Sequence, residues 1–349
     1  MRQINVGCIG LGWIGRIRAQ TCATHPLVKD LRLSDLRPEL LAELNALTGA
    51  QAATAEYRDL LAASDLDAVI ISTAPESTHY PIARDCLLAG KHVLLEKPMA
   101  MELHEADELV DIARRNNLKF TIAYTQRFNP KLVYVKQCVS NGTLGEPVTA
   151  LVNRNAGRSI GKITTARTGL SLAMMCATHD LDFVFWCLEP HKPVRVYSQG
   201  VSRIMRPGDA QWLMVTMDDG VTFVIGASHI RPTPGTAPCT TTWIEFMGTK
   251  GSLCVDDTHR EVTLSTVDGG LVHPMASMPG EQVEHVFAGP MVSETQHFIE
   301  AVAYDRPLLV SPEQARMVME VCVAADLSAE RNEPVALPLP ESRAGKRAA

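Results

Sequence analysis

The sequence predicts an α/β protein with a doubly wound parallel sheet in its first part and an α+β domain after it. Up to about residue 123, short apolar runs alternate with helical patterns, which is typical of a parallel sheet with helices on both faces. Beyond about residue 145, β-rich runs follow one another and are separated by turn signals such as Asp218-Asp219-Gly220. This second pattern indicates an antiparallel sheet.

The first domain is assigned to residues 1–124. Pro38 in a first helical turn and Gly90 directly after a helix are ordinary start and stop signals. Because ligands of such sheets bind beyond the carboxyl ends of the strands, a functional site is expected at that edge. Strands are predicted at residues 4–9, 31–35, 67–73, 91–95 and 119–123, and helices at residues 14–23, 38–47, 56–63, 77–89 and 102–116.

The second domain is assigned to residues 125–340, and residues 341–349 are expected to form a disordered tail. Its strands are predicted at residues 148–153, 194–198, 212–217, 222–227, 240–246, 252–255 and 261–265. Helical patterns occur at residues 171–188, 294–304 and 312–330. The mixture of a sheet with a few separate helices predicts an α+β domain.

The composition argues against several classes of function. The chain has 349 residues, enough for two domains, and its net charge of −6 disfavours nucleic-acid and membrane-surface partners. Nine cysteines form no C-x-x-C pair and are expected to be buried thiols in a reducing cytosol. With no charged leader and no apolar run of about 18 to 20 residues, we expect a cytoplasmic protein.

The most informative motif is Gly10-x-Gly12-x-x-Gly15. A buried-strand pattern precedes it, a helical pattern follows it, and Asp35 ends the next strand about 20 residues later, as in dinucleotide-binding βαβ units. There, Gly10 would permit a tight turn, Gly12 the approach of a pyrophosphate, and Gly15 close contact between helix and strand. The amides at the helix N-terminus would then bind the phosphates. The alternative is a glycine turn that serves only to reverse the chain.

The choice between NAD and NADP depends on two residues after the second strand. Asp35 would accept hydrogen bonds from the ribose of NAD and repel a 2′-phosphate. Arg37 would instead stack on adenine or pair with that phosphate. We expect NAD as the cofactor, with NADP as the alternative.

A second signal is Glu96-Lys97-Pro98, directly after a predicted strand. A lysine at this edge of the sheet would lie near the nicotinamide end of a cofactor. Pro98 restricts the backbone at Lys97 and is compatible with a cis bond. Burial and the positive nicotinamide ring would lower the pKa of Lys97, so that its amine exchanges a proton with a substrate hydroxyl. The alternative is an ordinary solvated ion pair.

A third signal is a histidine in the apolar helix of the second domain. Met175, His179 and Asp182 are spaced i, i+4 and i+7 and are expected on one helix face. From spacing alone, His179 is either a hydrogen-bonded core residue or a proton carrier. His179 and Asp182 make an incomplete ligand set, so no metal site is predicted.

These motifs together resemble one known family. Gly10-x-Gly12-x-x-Gly15, Thr73-Ala74-Pro75 with His79, Glu96-Lys97-Pro98, Arg127-Phe128-x-Pro130 and His179-x-x-Asp182 have the order and spacing of the glucose-fructose oxidoreductase / inositol dehydrogenase / rhizopine-catabolism (Gfo/Idh/MocA) oxidoreductases. The resemblance implies an N-terminal Rossmann domain and a C-terminal open-faced antiparallel sheet. It also implies a tightly held nicotinamide cofactor and a homodimer or homotetramer formed through that sheet.

The resemblance also implies roles for individual residues. Lys97 and His179 match the residues that share proton transfer in the family, and they are our expected catalytic residues. Expected to bind the cofactor are Gly10, Gly12, Trp13, Ile14, Gly15, Asp35, Arg37, Thr73, Ala74, Pro75, His79, Glu96, Lys97 and Arg127. His79 has an alternative as a packing residue. Expected to contact a small-molecule substrate are Lys97, Gln126, Arg154, Met175 and His179.

One residue departs from the family pattern. Many sugar and polyol dehydrogenases of the family have an aspartate one turn before the histidine, where this chain has Met175. A methionine accepts no hydrogen bond from a sugar hydroxyl, so a less polar or unusual substrate is favoured. The basic segment at residues 153–167, with Arg158 and Arg167, is interpreted as a loop that either clamps an anionic substrate group or is simply solvated.

The sequence therefore predicts an NAD(P)-dependent oxidoreductase that acts on a secondary alcohol or ketone of a sugar, cyclitol or related cyclic compound. Lys97 and His179 would handle the hydroxyl proton in one cleft. Two alternatives remain: a dehydrogenase of a non-sugar dihydrodiol or aldehyde, and a nicotinamide-binding sensor without turnover. Neither would involve nucleic acid or membrane.

Overall fold

The computed structural model describes residues 2–206, 208–232, 240–257 and 286–340, together with the backbone of residues 264–266, 270–272 and 282–283. The predicted tail at residues 341–349 and part of the predicted strand at residues 261–265 lie outside this description. The chain divides into two compact units, one of Met1–Asn129 with Met278–Arg316 and the other of Pro130–Ser277 with Met317–Ala349.

A six-stranded parallel sheet, in the order β3-β2-β1-β4-β5-β6, organises the first unit. Its strands are β1 (Ile4–Ile9), β2 (Val28–Ser34), β3 (Ala52–Thr54), β4 (Ala68–Ile71), β5 (His92–Leu95) and β6 (Phe120–Ile122). Its helices are α1 (Trp13–Thr24), α2 (Pro38–Thr48), α3 (Tyr57–Leu61), α4 (His79–Leu88) and α5 (Leu103–Arg115), with short 3₁₀ turns at Glu76–Thr78 and Thr125–Phe128.

The first unit confirms the predicted doubly wound parallel sheet. All five predicted strands are present, and every residue of β1 is buried, as its continuous apolar run predicts. Strand β3 was not predicted, because its Ala-Ala-Thr sequence is short and carries no apolar pattern. A late helix, here called the returning helix (Pro290–Ala303, α9), packs on α1 and adds Phe298 and Ile299 to the core.

The second unit contains a seven-stranded sheet in the order β12-β11-β7-β10-β9-β8-β17. Its pairs are antiparallel, as predicted, except for the parallel pair β7/β10. The strands are β7 (Pro147–Gly157), β8 (Pro193–Val201), β9 (Ala210–Met217), β10 (Thr222–Arg231), β11 (Thr241–Gly248), β12 (Gly251–Asp256) and β17 (Val335–Ala336), with short ribbons β13 (Leu264–Thr266), β14 (Gly270–Val272), β15 (Gln282–Val283) and β16 (Val286–Phe287). The helices are α6 (Pro130–Ser140), α7 (Arg158–Thr168), α8 (Thr178–Leu188) and α10 (Pro312–Arg331).

The interpretation of residues 153–167 as a basic loop is wrong. Strand β7 continues to Gly157, and α7 occupies the remainder of the segment. Helix α7 lies so close to β10 that a Cβ atom on Gly161 would be 2.6 Å from the Cβ atom of His229. Arg158 donates from Nε to the carbonyl oxygen of Ile230 at 3.0 Å, so this guanidinium is tied to the sheet. The helix depends on packing that a one-dimensional pattern does not report. The Arg167 side chain lies outside the described residues.

One face of the second sheet carries exposed apolar side chains. Along β9, Trp212 and Met214 are each about half exposed, whereas Leu213 and Val215 between them are buried. By their pairing register, neighbouring strands add Leu151 and Met247 to this surface, which we call the open face: Leu151, Trp212, Met214 and Met247. In the parts of the chain that the structure describes, no helix has the length and apolar character needed to span a bilayer.

Candidate active site

Four predicted site residues follow neighbouring strands of the first sheet at their carboxyl ends. Gly10 follows β1, Asp35 follows β2, Thr73 lies just beyond β4, and Glu96 follows β5. Strands β2, β1, β4 and β5 are adjacent, so the topology brings these residues to one edge of the sheet. Open α/β sheets bind their ligands at this edge.

The glycine turn has the backbone geometry that its sequence predicts. Gly10 has φ +83°, and a Cβ atom there would lie 2.6 Å from the carbonyl oxygen of Ser72. A Cβ atom on Gly15 would lie 1.8 Å from the carbonyl oxygen of Gly10. At Gly12 the space is open, because Arg37 Nη2, at 3.8 Å, is the one described heavy atom within 4 Å of such a Cβ atom. Gly10 and Gly15 therefore close the turn, and Gly12 leaves room for a ligand.

The N-terminus of α1 follows this open position. Gly12 is the N-cap residue and has no side chain with which to occupy the first helical amides, so they are suited to an anion. Trp13, the first residue of α1, is exposed, and Ile14 is half-buried. The residues present thus fit the diphosphate of a dinucleotide.

Asp35 is closely enclosed by hydrogen bonds. It accepts from the Leu11 amide at 2.6 Å, and Arg37 forms a two-pronged contact with it through Nε and Nη2, both at 2.9 Å. Burial opposes ionisation of Asp35, but these hydrogen bonds outweigh it and hold the pKa of the carboxyl below its ordinary value. Arg37 therefore covers the carboxylate predicted to bind the ribose, and its own side chain remains about half exposed.

Lys97 is half-buried and lies between two anchored residues. On one side, the Glu96 amide donates to the carbonyl oxygen of Ile71 at 3.0 Å, which continues the β4/β5 pairing. On the other side, the carbonyl oxygen of Pro98 lies 2.7 Å from Nδ1 of His79. The Lys97–Pro98 peptide is cis.

The surroundings of His79 support the packing alternative for this residue. Its ring is buried, and the other nitrogen, Nε2, lies 3.0 Å from the carbonyl oxygen of Thr73. The imidazole thus connects the loop after β4 to the loop after β5. Ala74 and Pro75, at the same loop, are exposed. A contact between His79 and the cofactor stays a prediction.

In the second unit, His179 is the second residue of α8 and directly follows a π-helical turn at Ala173–Ala177. Single π turns are common beside functional sites. Between residues 172 and 188, all of which the structure describes, Met175 and His179 are the two residues that are not buried. Asp182, three residues after His179 in α8, is fully buried.

Arg154, which was predicted to bind substrate, forms a salt bridge with Asp180. Its Nε donates to one carboxylate oxygen at 2.7 Å and its Nη2 to the other at 2.6 Å, and both side chains are buried. Burial alone would lower the pKa of Arg154, but Asp180 more than reverses this and raises it above the ordinary value. The pair fixes α8 on β7 immediately beside His179. Substrate contact by Arg154 stays a prediction.

Comparison with known proteins identifies the family of this chain. The model of the oxidoreductase family with an NAD-binding Rossmann fold matches residues 4–124, and the model of the C-terminal alpha/beta domain of the same Gfo/Idh/MocA family matches residues 136–337. The chain belongs to this family. It is therefore an NAD-binding oxidoreductase, as the motifs predicted.

Individual members of the Gfo/Idh/MocA family resemble it along almost its whole length. Myo-inositol 2-dehydrogenase of Thermotoga maritima is 25% identical over 96% of this chain and 98% of its own. UDP-N-acetylglucosamine 3-dehydrogenase of Acidithiobacillus ferrooxidans is 25% identical over 95% and 98%. The solved structure of scyllo-inositol dehydrogenase from Lactobacillus casei, with bound NAD(H) and scyllo-inositol, has a TM-score of 0.81 at 22% identity and covers 96% of this chain and 99% of its own.

Two further residues expected from the family pattern lie at the end of the first sheet. Gln126 is half-buried in the 3₁₀ turn at Thr125–Phe128. Arg127 is buried, and its Nη1 donates to the carbonyl oxygen of Leu309 at 2.9 Å and to Oε1 of Gln314 at 3.0 Å. These contacts tie the turn to the segment that begins α10. Binding of cofactor by Arg127 and of substrate by Gln126 stay predictions.

The sequence reasoning missed one buried group beside the site. Arg18 of α1 is completely buried and contacts Glu96, Glu294 and Thr295. A charged residue among the apolar positions of a buried helix was the available signal. Its partners lie 78 to 277 residues away in the chain, so no local pattern connects them.

Proposed function

We propose that this protein is an NAD-dependent dehydrogenase that moves a hydride between nicotinamide and a carbinol carbon of a sugar, cyclitol or related cyclic compound. In this proposal, Lys97 and His179 handle the hydroxyl proton. The observation that carries it is the placement of the glycine turn, Asp35 and Lys97 after strands β1, β2 and β5, at the same carboxyl edge of one parallel sheet. The relatives named for inositol and for an N-acetylglucosamine nucleotide support the substrate class.

The chain's own residues supply binding and proton transfer. The α1 amides after Gly12 would bind the diphosphate, and Asp35 would bind the adenosine ribose once Arg37 shares or releases it. When bound, NAD⁺ supplies the hydride acceptor. In the oxidative direction the substrate C–H and O–H bonds break and a C=O bond forms. The neutral amine of Lys97 takes the hydroxyl proton and becomes an ammonium, and His179 passes a proton to or from solvent.

Met175 supports a second candidate within the dehydrogenases. Met175 and His179 are both accessible in this helical segment, and the thioether of Met175 would be a poor hydrogen-bond acceptor for a sugar hydroxyl. A cyclic diol or aldehyde of lower polarity would fit such a surface better than a fully hydroxylated ring.

A turnover screen tests the proposal. Purified protein would be mixed with NAD⁺ or NADP⁺ and with polyols, sugars, sugar nucleotides and cyclic diols, and reduced nicotinamide would be followed by absorbance. For the best substrate, Lys97→Ala is expected to lower kcat by about 10²- to 10⁴-fold, and His179→Gln by a smaller factor, with a much smaller loss of NAD⁺ affinity in each case. Full turnover by Lys97→Ala would disprove the mechanism. NAD⁺ binding without turnover of any substrate would favour a sensor.

We also propose that the open face pairs with the same face of a second copy of this chain. Half-exposed tryptophan and methionine side chains on one regular sheet surface favour a buried interface over contact with water. Met214→Glu would place a charge in that interface, and we expect it to give a monomer in size-exclusion chromatography with light scattering. The control is Glu146→Lys, a charge change at an exposed loop position. A wild-type monomer would refute this assembly.

A further inference from the structure

A buried charge cluster includes the residue that directly precedes the predicted catalytic lysine, and we call it the Arg18 cluster: Arg18, Glu96, Glu294 and Thr295. Arg18 belongs to α1, Glu96 follows β5, and the other two belong to the returning helix. The exposed fractions of the Arg18, Glu96 and Glu294 side chains are 1%, 16% and 3%. All four residues belong to the first unit.

The contacts of Arg18 are directional. Its Nε and Nη2 donate to Glu96 Oε1 at 3.0 and 2.5 Å, Nη2 also donates to Glu294 Oε2 at 2.8 Å, and Nη1 donates to Thr295 Oγ1 at 3.0 Å. The Thr295 hydroxyl in turn donates to the carbonyl oxygen of Met291 at 2.8 Å, which fixes its acceptor lone pair toward Arg18. A planar guanidinium held in this way allows Glu96 little rotation.

The cluster contains more acidic groups than basic groups. Burial opposes the charge on Arg18, but Glu96 and Glu294 outweigh it and raise the pKa of the guanidinium above its ordinary value. One guanidinium therefore faces two carboxyl groups. Such a group is costly to bury and is retained in proteins where it specifies one arrangement.

From this geometry we infer that Arg18 is a positioning residue for Lys97. The inference rests on the proposed role of Lys97 in catalysis. Residue 97 follows Glu96, whose amide is bonded to Ile71 and whose carboxylate is bonded to Arg18. With Pro98 tied to His79, both neighbours of Lys97 are held, and the direction of its side chain is restricted. The returning helix completes this support by supplying Glu294 and Thr295 to Arg18.

The test measures the position of Lys97 without a substrate. Lysine acetylation by acetic anhydride would be quantified at Lys97 by peptide mass spectrometry, with and without saturating NAD⁺, and normalised to the exposed Lys29. If the amine lies against the bound cofactor, NAD⁺ should slow its acetylation at least about tenfold in the wild type. Isothermal titration calorimetry would give the NAD⁺ affinity of each variant.

The main variant is Arg18→Met with Glu294→Met, which removes two buried charges together and replaces them with apolar side chains of similar length. Because the glycine turn is unchanged, NAD⁺ affinity should stay within about threefold, while protection of Lys97 falls to about twofold or less. Glu294→Gln keeps the shape and an acceptor for Arg18 and should lose about half of the protection. The matched control is Glu300→Gln, a half-exposed position on the same helix that pairs with Arg306, and it should behave as wild type.

The outcomes separate the two proposals. A wild-type Lys97 that NAD⁺ does not protect would overturn the proposed function and this inference with it. A protected wild type, together with folded variants that bind NAD⁺ and keep full protection, would overturn the role of Arg18 alone. If the double variant does not fold, Glu294→Gln decides. Loss of protection in the variants but not in Glu300→Gln would support the positioning role, since a merely structural residue would not change protection in folded, NAD⁺-binding protein.

Discussion

Each of the two predicted proton-handling residues has a carboxylate beside it in the chain, and a buried arginine holds each carboxylate. Arg18 holds Glu96 next to Lys97, and Arg154 holds Asp180 next to His179. The two arrangements differ in their charge balance. Arg154 meets one carboxylate through two matched bonds, whereas Arg18 is shared between two carboxylates and a hydroxyl.

The difference shows two ways of fixing a side chain. In the second unit, the two-pronged pair of Arg154 and Asp180 ties one helix to one strand directly beside His179. In the Arg18 cluster, three separate elements converge on one guanidinium, and the support for Lys97 depends on a helix from late in the sequence.

Arg18→Met should be the more damaging of the two arginine substitutions. It leaves two buried carboxylates without their shared cation, and we expect it to lower the free energy of unfolding by about 5 kcal/mol. Urea denaturation followed by circular dichroism would measure the change. The double variant Arg18→Met with Glu294→Met should recover part of the lost stability. A loss below about 2 kcal/mol for Arg18→Met alone would show that the two carboxylates do not depend on Arg18 for their stability.

Arg154→Met should cost less, about 3 kcal/mol, because one carboxylate loses its partner. The same denaturation measurement applies. Adding Asp180→Leu removes the stranded charge and should restore most of the stability, since a neutral pair is replaced by apolar packing of similar volume. Equal costs for Arg154→Met and Arg18→Met would contradict the contrast between the two clusters.

Asp326 of α10 is a half-buried acid that a glutamine contacts. Gln211 Nε2 donates to it at 3.1 Å, and burial raises its pKa to about 6, although hydrogen bonds from Ser171 and Gln211 act in the opposite direction. Because the folded-state pKa lies above the ordinary 3.8, the stability contribution is fully present below about pH 4 and is lost as the pH rises through 6.

The expected result is that Asp326→Asn stabilises the protein by about 2 kcal/mol at pH 8 and has little effect at pH 4. Thermal unfolding at both pH values would measure it. Asp218→Asn, at an exposed carboxyl whose pKa is lowered, is the control and should not stabilise at pH 8. Stabilisation of equal size at both pH values would exclude the titration of Asp326 as its cause.

The smallest effect is expected from substitution of Arg37, which pairs with Asp35. Arg37 is bonded to Asp35 but remains about half exposed, so its guanidinium can turn to a 2′-phosphate at little cost. Arg37→Gln is expected to weaken NADP⁺ binding about tenfold and NAD⁺ binding by less than about threefold, as measured by calorimetry. Equal weakening of both cofactors would show that Arg37 does not discriminate between them.

The part of the molecule that could be predicted from sequence is the part that local patterns encode. The glycine turn and the alternation of strands and helices follow from residues close in sequence, such as Gly10 and Asp35, which are 25 positions apart. The family resemblance adds several such short motifs in a fixed order. The spacing of Met175 and His179 likewise predicted a shared helix face, which the burial pattern supports. Asp182 is buried because neighbouring elements cover every side of the later turns of this helix.

What could not be predicted depends on distant partners. Nothing near Arg154 in the sequence indicates that Asp180 will occupy its guanidinium, and the basic appearance of the segment suggested a solvated loop instead. Helix α7 forms there because Gly161 allows close packing on β10. Arg18 and Glu294 are 276 residues apart, and only the folded topology brings them together.

The returning helix has a consequence for the order in which this protein is made. A ribosome releases the nucleotide-binding strands first, but the residues that complete the environment of Arg18 emerge only when more than four-fifths of the chain has been synthesised. Until then, the Arg18 guanidinium of the growing chain has Glu96 but lacks Glu294 as a counter-charge. The N-terminal sheet is therefore not an independent module, and its final consolidation waits for translation to approach the end.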